Sequence, residues 1–157
     1  MPRRKLNYSE GDCFVLPLQN GGFARGIVAR MDRKGGVFGY FFGPKLEAKE
    51  SARIDATLRR ENAVLVGQFG GLGLLKGEWN VIGHIKPWSS ADWPMPPFFR
   101  TDALGKLGFI CYYDDSLRFL REVQVKPDDA EARKLPRDAI MGYVAVEIHL
   151  TNLLGQN

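Results

Sequence analysis

The chain has 157 residues, of which 45% are hydrophobic and 25% are charged. This length predicts a single domain, 1–157, and the apolar fraction excludes wholesale disorder. No apolar run approaches the roughly 18–20 residues that cross a bilayer, so a membrane partner is not predicted. The basic N-terminus lacks the apolar stretch of a secretory signal, and residues 1–10 are predicted to be a flexible N-terminal segment.

Positive charge is concentrated in the first 60 residues, which hold 12 Lys and Arg against 6 Asp and Glu, whereas residues 61–157 hold 10 against 12. One hypothesis is therefore a small nucleic-acid-binding β module with basic N-terminal hairpins. Its contacts would be Arg25, Arg30, Arg33 and Lys34, with Phe23 and Tyr40 as stacking surfaces. Because the basic residues are interspersed with acidic ones, an ordinary solvated face is the favoured interpretation.

The first forty residues predict three antiparallel strands in a meander, at 12–18, 23–31 and 37–42, separated by glycine-containing turns. Pro17 predicts that its strand lies at an edge or carries a bulge there, since proline donates no ladder hydrogen bond. The Gly-Pro pair ending at Pro44 predicts the end of the third strand.

The middle of the chain first changes character and then returns to strand patterns. Residues 46–62 dilute apolar residues with charge and predict an amphipathic helix or a helix-like crossover. Strands are predicted at 64–69 and 79–85, on either side of a glycine cluster. That cluster lacks the Lys-Ser/Thr of a phosphate-binding loop, and no following helix is predicted, so the glycines are assigned to backbone geometry.

A stretch at 87–100 alternates four prolines with four aromatic residues, which predicts an extended loop outside any sheet. Trp79 is predicted to be a core residue, whereas core and partner-facing roles remain open for Trp88 and Trp93. Two further strands are predicted at 107–113 and 117–125, joined by a turn at 114–116.

The rest of the chain carries weaker patterns. The charged segment 126–131 predicts one helical turn. The tail, 136–154, fits either strand or helix, and its Pro-Arg-Asp start and its length favour a helix.

The residue types that carry catalysis are sparse. The two histidines, His84 and His149, lie in apolar surroundings, and an enzyme would require His84 to lie near an Asp or a Cys in the fold. Cys13 and Cys111 lie in apolar strands, where a thiol behaves as a small hydrophobe. Two cysteines make neither a disulfide framework nor a four-ligand zinc site, which favours the cytoplasm. We therefore predict no catalytic residues, no cofactor and no metal, and assign the protein to the non-enzymes.

Three segments resemble one protein family. Residues 11–18 (GDCFVLPL) and 22–28 (GFARGIV) are similar to the opening of the immunity protein 26 family. Residues 75–83 (LKGEWNVIG) are similar to the family's Leu-x-Gly-x-Trp-x-Val-Ile-Gly segment, and the stretch ending at 97–99 is a weaker third match. Together these segments span about residues 11–100.

The resemblance implies a mostly β protein that is encoded beside a bacterial polymorphic toxin and neutralises that toxin by binding it. The expected partner is thus a cognate toxin domain, blocked sterically, with nucleic acid disfavoured and no oligomeric state predicted. The expected fold is mainly β (α+β), an antiparallel twisted sheet or partly open barrel with one or two helices packed on it.

The predicted partner-binding surface combines the aromatic loop with the acidic turns, because aromatic residues and arginine are frequent interface hot spots. Its residues are Trp88, Asp92, Trp93, Phe98, Phe99, Arg100, Asp114, Asp115, Asp128 and Asp129.

Overall fold

The structure is a computed structural model that describes residues 5–155, and these residues form nine strands and two α-helices. The strands are β1 (Asp12–Pro17), β2 (Phe23–Met31), β3 (Gly36–Leu46), β4 (Leu65–Gly70), β5 (Asn80–His84), β6 (Phe98–Thr101), β7 (Gly108–Tyr113), β8 (Phe119–Val125) and β9 (Ile140–Met141). The helices are α1 (Leu72–Leu75) and α2 (Tyr143–Leu154).

Six strands form a large sheet in the order β5-β1-β2-β3-β4-β9, in which the predicted meander β1-β2-β3 is confirmed. The prediction that Pro17 marks an edge strand is wrong, because β1 lies between β2 and β5. Pro17 is tolerated because β5 pairs only with residues 12–15, so the missing N–H of Pro17 faces no strand. A register shift in β1 lies between Cys13 and Phe14, not at the proline.

The prediction that β3 ends at Pro44 is also wrong, since the strand continues to Leu46. β4 pairs with β3 only over 36–41, so the last residues of β3 have a ladder partner on one side only. On that side the register with β2 shifts between Phe23 and Arg25. Pro44 fits in this irregular stretch because no ladder hydrogen bond there needs a backbone N–H from residue 44.

Three strands form a small antiparallel sheet in the order β6-β7-β8, and the predicted strands at 107–113 and 117–125 are confirmed. The prediction that all of 87–100 lies outside a sheet is wrong, because its last residues begin β6. The four prolines all precede β6, so they remove no ladder hydrogen bond from it.

The segment 136–141 joins the two sheets. Phe99 of β6 donates its N–H to the Pro136 carbonyl at 2.8 Å and accepts the N–H of Asp138 at 2.7 Å. Two residues later the same segment becomes β9 and pairs in parallel with β4. The small sheet is thereby attached to the β4 edge of the large one.

The large sheet is covered on both faces, which explains why its central strands are almost continuously buried. On one face Phe14, Phe41, Phe69 and Trp79 pack together beneath α2. The other face carries a second cluster that includes Phe38, Phe42, Trp93 and Phe98. The prediction of a core position for Trp79 is confirmed.

Gly26 shows why one of the motif glycines is required. A Cβ atom on Gly26 would lie 2.4 Å from the ring of Phe14, which occupies the space above β2. Gly11 has a φ of +90°, in the region that side chains rarely adopt, and a Cβ there would also meet His84 and Trp88. Both glycines are therefore required by the fold.

The helix or crossover predicted at 46–62 is wrong as a helix, because the segment forms a loop with two short 3₁₀ turns, Lys49–Ser51 and Arg60–Asn62. Only Ala52 and Leu58 are buried there, too few to make a helical stripe. The helix predicted for the tail, 136–154, is confirmed from Tyr143 onward as α2, whereas the start predicted at Pro-Arg-Asp is wrong, because residues 140–141 form β9. Within the glycine cluster lies a helix of four residues, α1, which the sequence does not predict.

The mainly β fold with two helices is confirmed, and the sheets do not close into a barrel. Residues 5–10 of the predicted flexible segment lie on the large sheet. Tyr8 is buried in the first core, and the Asn7 side-chain amide donates to the Leu74 carbonyl at 2.8 Å. Residues 1–4 lie outside the described residues. No helix in the described range is both long and apolar enough to span a membrane.

Candidate partner-binding surface

Arg30 brings together two of the segments that the sequence assigns to the partner surface. Its side chain is buried on β2, where Nε donates to Asp115 Oδ1 at 2.9 Å. Its two terminal nitrogens donate to the carbonyls of Trp93 at 3.2 Å and Ser90 at 3.3 Å. The loop before β6 and the β7–β8 turn are therefore held side by side on the second face of the large sheet.

Two of the predicted contact residues belong to the core. Trp93 is 5% exposed and packs edge-on against Tyr40 and Phe42, with ring centroids 5.1 and 6.0 Å apart. Phe98 is fully buried against Phe38. Their side chains are thus packed inside the protein, where no partner reaches them in this conformation.

The remaining residues of the loop and of β6 keep some exposure. Trp88 is half-buried and stacks on Trp93, with ring centroids 6.2 Å apart, while Asp92 is exposed. Phe99 and Arg100 lie in β6 and are half-buried. In this part of the predicted surface, fewer residues are therefore accessible to a partner than the sequence suggests.

Arg100 belongs to a polar cluster on the small sheet. Its guanidinium pairs with Glu122 of β8 and lies 3.5 Å from Asp138, which also accepts a hydrogen bond from the Tyr113 hydroxyl at 2.6 Å. Burial, together with this bond to Asp138, raises the pKa of Tyr113. Burial and Asp138 also raise the pKa of Cys111 to about 11, so its thiol is protonated and unreactive at neutral pH.

The acidic turns lie at opposite ends of β8. Asp114 accepts the backbone N–H groups of Arg118 and Ser116, both at 2.9 Å, and these bonds lower the pKa of its carboxyl. Asp129 accepts the N–H of Ala132 at 2.9 Å beyond the other end of the strand. Seven residues of β8 separate the turns by roughly 20 Å. The two pairs, Asp114–Asp115 and Asp128–Asp129, thus flank the same strand but do not form one acidic cluster.

β8 itself is the exposed feature that joins these turns. Six of its seven residues are exposed, including Phe119 at 55%, Leu120 at 60% and Val123 at 40%. The sequence analysis predicts the strand but not its exposure. A signal for the exposure is present in Phe-Leu-Arg-Glu-Val-Gln-Val, where Arg121, Glu122 and Gln124 interrupt the apolar residues.

His84 lies next to an acid, the condition that the sequence sets for an enzyme. Its Nδ1 lies 3.0 Å from Asp12 Oδ1, and the hydroxyl and N–H of Ser9 both bond to the second oxygen of that carboxylate. The serine therefore contacts the acid rather than the imidazole, which is not the order that activates a nucleophile. Across residues 5–155 no three acidic, His or Cys side chains cluster as a metal site would need.

The basic residues of the nucleic-acid hypothesis are mostly unavailable. Arg25 is buried and donates to the carbonyls of Arg53 and Gly43, and it also pairs with Asp55 at 3.3 Å. Arg30 is buried in the contacts described above, and Tyr40 is buried with its hydroxyl bonded to the Pro94 carbonyl. Only Arg33 and Lys34 of the basic set lie exposed, which is too little charge for a phosphate-binding face.

Comparison with protein families identifies the chain. The model of immunity protein 26 matches residues 9–108, which is well over half of the sequence. The chain belongs to the immunity protein 26 family. No curated protein and no solved structure gives a significant match.

The family match covers part of the fold only. It extends from the residues before β1 to the first residue of β7, and so includes the meander, β5 and β6. The rest of β7, together with β8, β9 and α2, lies outside the matched residues. The exposed strand β8 therefore lies beyond the matched residues.

Proposed function

We propose that this immunity protein neutralises a cognate toxin domain by binding it and blocking it sterically, without catalysis. Membership of the family supports the general role of an immunity protein in a toxin system. The observation that supports the mode of action is the exposed apolar strand β8 between two acidic turns. A chain that neutralises by contact needs such a surface, whereas a chain that acts by chemistry does not.

The charge of the turns that flank β8 supports the same surface. Residues 114–118 hold two Asp against one Arg, and residues 126–131 hold two Asp and one Glu against one Lys, although the whole chain has a net charge of +4. Each end of β8 is thus bordered by an acidic turn. We propose that the toxin presents basic residues to both turns, since complementary charge speeds association and favours the correct partner.

The proposed surface retains the exposed members of the predicted set. These are Asp92, Asp115 and Asp128, with the half-buried residues at its inner margin: Asp114, Asp129, Arg100, Phe99 and Trp88. β8 supplies the apolar centre that the buried Trp93 and Phe98 do not. We place this activity in the cytoplasm, in keeping with the two free cysteines, Cys13 and Cys111.

The test uses the toxin encoded by the neighbouring gene, recovered with the tagged immunity protein and identified by mass spectrometry. We expect Leu120→Asp to weaken the affinity at least tenfold, because a charge would be buried in the apolar centre of the interface. Val144→Asp is the matched control, since Val144 is also exposed, at 45%, but lies on α2. Circular dichroism melts of both variants show whether the fold is retained.

Steric blocking adds a kinetic expectation. Toxin activity should fall to background at one equivalent of immunity protein, and saturating toxin substrate should slow formation of the complex. Equal affinities for Leu120→Asp and Val144→Asp would remove β8 from the interface. A neighbouring toxin that neither binds nor is inhibited would overturn the proposed function itself.

A further inference from the structure

The outer edge of β8 is an open strand edge, and we propose that an extended segment of the toxin adds there as a fourth strand of the small sheet. The proposal rests on the proposed function, and it adds how the partner is held and what chemistry the partner's segment has. That segment is apolar at its centre and basic at both ends.

The first observation is the pairing of β8. The strand bonds to β7 from the Gly108–Val125 pair to the Tyr113–Phe119 pair, all along one side. On the other side, no described residue forms a backbone hydrogen bond with it. A strand in this position presents a row of free N–H and C=O groups, which is a template for another strand.

The second observation is that most of β8 carries none of the usual protection of an edge. Phe119–Val125 contains no proline, no lysine and no glycine, and its one irregularity is a bulge at Leu120, near the start of the strand, after which residues 121–125 pair with β7 in regular register. Its two charged residues are held by its own sheet: the Arg121 guanidinium lies 4.0 Å from the ring centre of Tyr112, and Glu122 pairs with Arg100. The free backbone groups therefore remain accessible, with apolar side chains beside them.

The third observation is the charge at the two ends of the strand. Residues 114–118 hold two Asp against one Arg, and residues 126–131 hold two Asp and one Glu against one Lys. A second copy pairing antiparallel with β8 would bring the acidic start of each strand opposite the acidic end of the other. Like charges disfavour that arrangement, whereas a strand with basic residues at both ends is attracted along its whole length.

Hydrogen exchange measured by mass spectrometry tests the backbone pairing directly, with the full chain alone and in complex with the toxin. Strand addition buries every second amide of β8, so about three or four amides of the 119–125 peptide should exchange at least tenfold more slowly in the complex. Peptides covering α2 should exchange at the same rate in both states. Binding that leaves exchange of the 119–125 peptide unchanged would overturn strand addition while leaving the proposed function standing.

Two neighbouring proline variants provide the second test. Of Val123 and Gln124, one directs its N–H toward β7 and the other directs it outward. The inward proline should lower the melting temperature, while the outward proline should keep the fold and weaken toxin binding at least tenfold. Val123→Ala and Gln124→Ala control for the lost side chains.

The results separate the competing outcomes. A fold-neutral proline that binds as tightly as the alanine variant at the same position would contradict the proposal. So would slow exchange of β8 in the free chain at high concentration together with a dimer in light scattering, because a second copy would then occupy the edge. Absence of any toxin binding would instead overturn the function on which the proposal rests.

Discussion

At the scale of residues, a few buried side chains connect parts of the chain that lie far apart in sequence. Arg30 links β2 to the loop before β6 and to the β7–β8 turn, through one carboxylate and two carbonyl groups. A buried guanidinium needs such partners, since an uncompensated buried charge is strongly destabilising. The sequence shows Arg30 only as one of several basic residues, because which acid and which carbonyls surround it depends on the folding of distant segments.

Trp93 offers a direct test of the second core. We expect Trp93→Ala to lower the free energy of unfolding by about 3–5 kcal/mol, because the substitution removes a buried indole and leaves a cavity. Urea denaturation monitored by far-ultraviolet circular dichroism measures this change. Trp88→Ala is the control, and as Trp88 is half-buried it should cost clearly less. Similar, small losses for both variants would place Trp93 outside the core.

The tryptophans show what local sequence predicts and what it leaves open. Trp79 opens the predicted strand 79–85, and this position at the start of a strand predicts that it lies in the core. Trp88 and Trp93 lie in a proline-rich loop with no repeating period, and their burial depends on where the loop packs. The packing of Trp93 against Tyr40 and Phe42, which only the structure shows, makes Trp93 a core residue.

At the scale of elements, helix α2 is fixed to the large sheet by a buried carboxylate. Glu147 accepts the Trp79 indole N–H at 2.9 Å and the Gln19 side-chain amide at 2.7 Å. Both contacts connect the end of the chain to segments near its beginning and middle. The carboxylate thus fixes the position of the helix, and the apolar face beneath supplies most of its burial.

Removal of this acceptor should destabilise the protein. Glu147→Leu leaves the buried Trp79 N–H without an acceptor, which costs about 1–3 kcal/mol, while Glu147→Gln keeps an acceptor oxygen and should cost less. Thermal melts followed by tryptophan fluorescence compare the two variants. If the glutamine variant is as unstable as the leucine variant, the hydrogen bond to Trp79 is not the source of the stabilisation.

The strands were largely predictable and the connections were not. The bounds of β2 follow from the sequence without error, because turn signals flank a run of apolar residues. The segment 46–62 contains apolar residues at intervals that fit a helix only weakly. In the fold it is a loop that buries only Ala52 and Leu58 and that accepts hydrogen bonds from the distant Arg25, contacts that the local sequence does not reveal. The acidic turns, and their position at the two ends of the predicted strand 117–125, follow from the sequence. The exposure of that strand does not, because it depends on β8 lying at the edge of the small sheet.

At the scale of the whole molecule, buried cysteine and tyrosine side chains make the protein less stable at alkaline pH. Burial raises the pKa of Cys13 to about 12 and that of Cys111 to about 11, from about 9 in the unfolded chain. At a pH between the unfolded and the folded pKa of each thiol, the unfolded chain has lost the proton that the folded chain still holds. The free energy of unfolding therefore falls as the pH rises above about 9. The pKa values of Tyr8, Tyr40 and Tyr113 are raised as well, which steepens the fall above pH 10.

We therefore expect the urea midpoint to decrease steadily from pH 9 to pH 11. A variant with Cys13→Ala and Cys111→Val should be less stable at pH 8 but should lose less on going to pH 10, because it lacks both thiols. Equilibrium denaturation at several pH values measures both trends. Parallel decreases in the variant and the native chain would assign the effect to other groups.

The placement of α2 has a consequence for the protein during its synthesis. The aromatic face formed by Phe14, Phe41, Phe69 and Trp79 is covered by a helix that begins only at Tyr143. On the ribosome, this face has no cover until residues 143–154 emerge, so a nascent chain that stops short of α2 exposes a large apolar surface. The cover is thus synthesised after every strand that it covers, and the first core completes its packing only once α2 has been made.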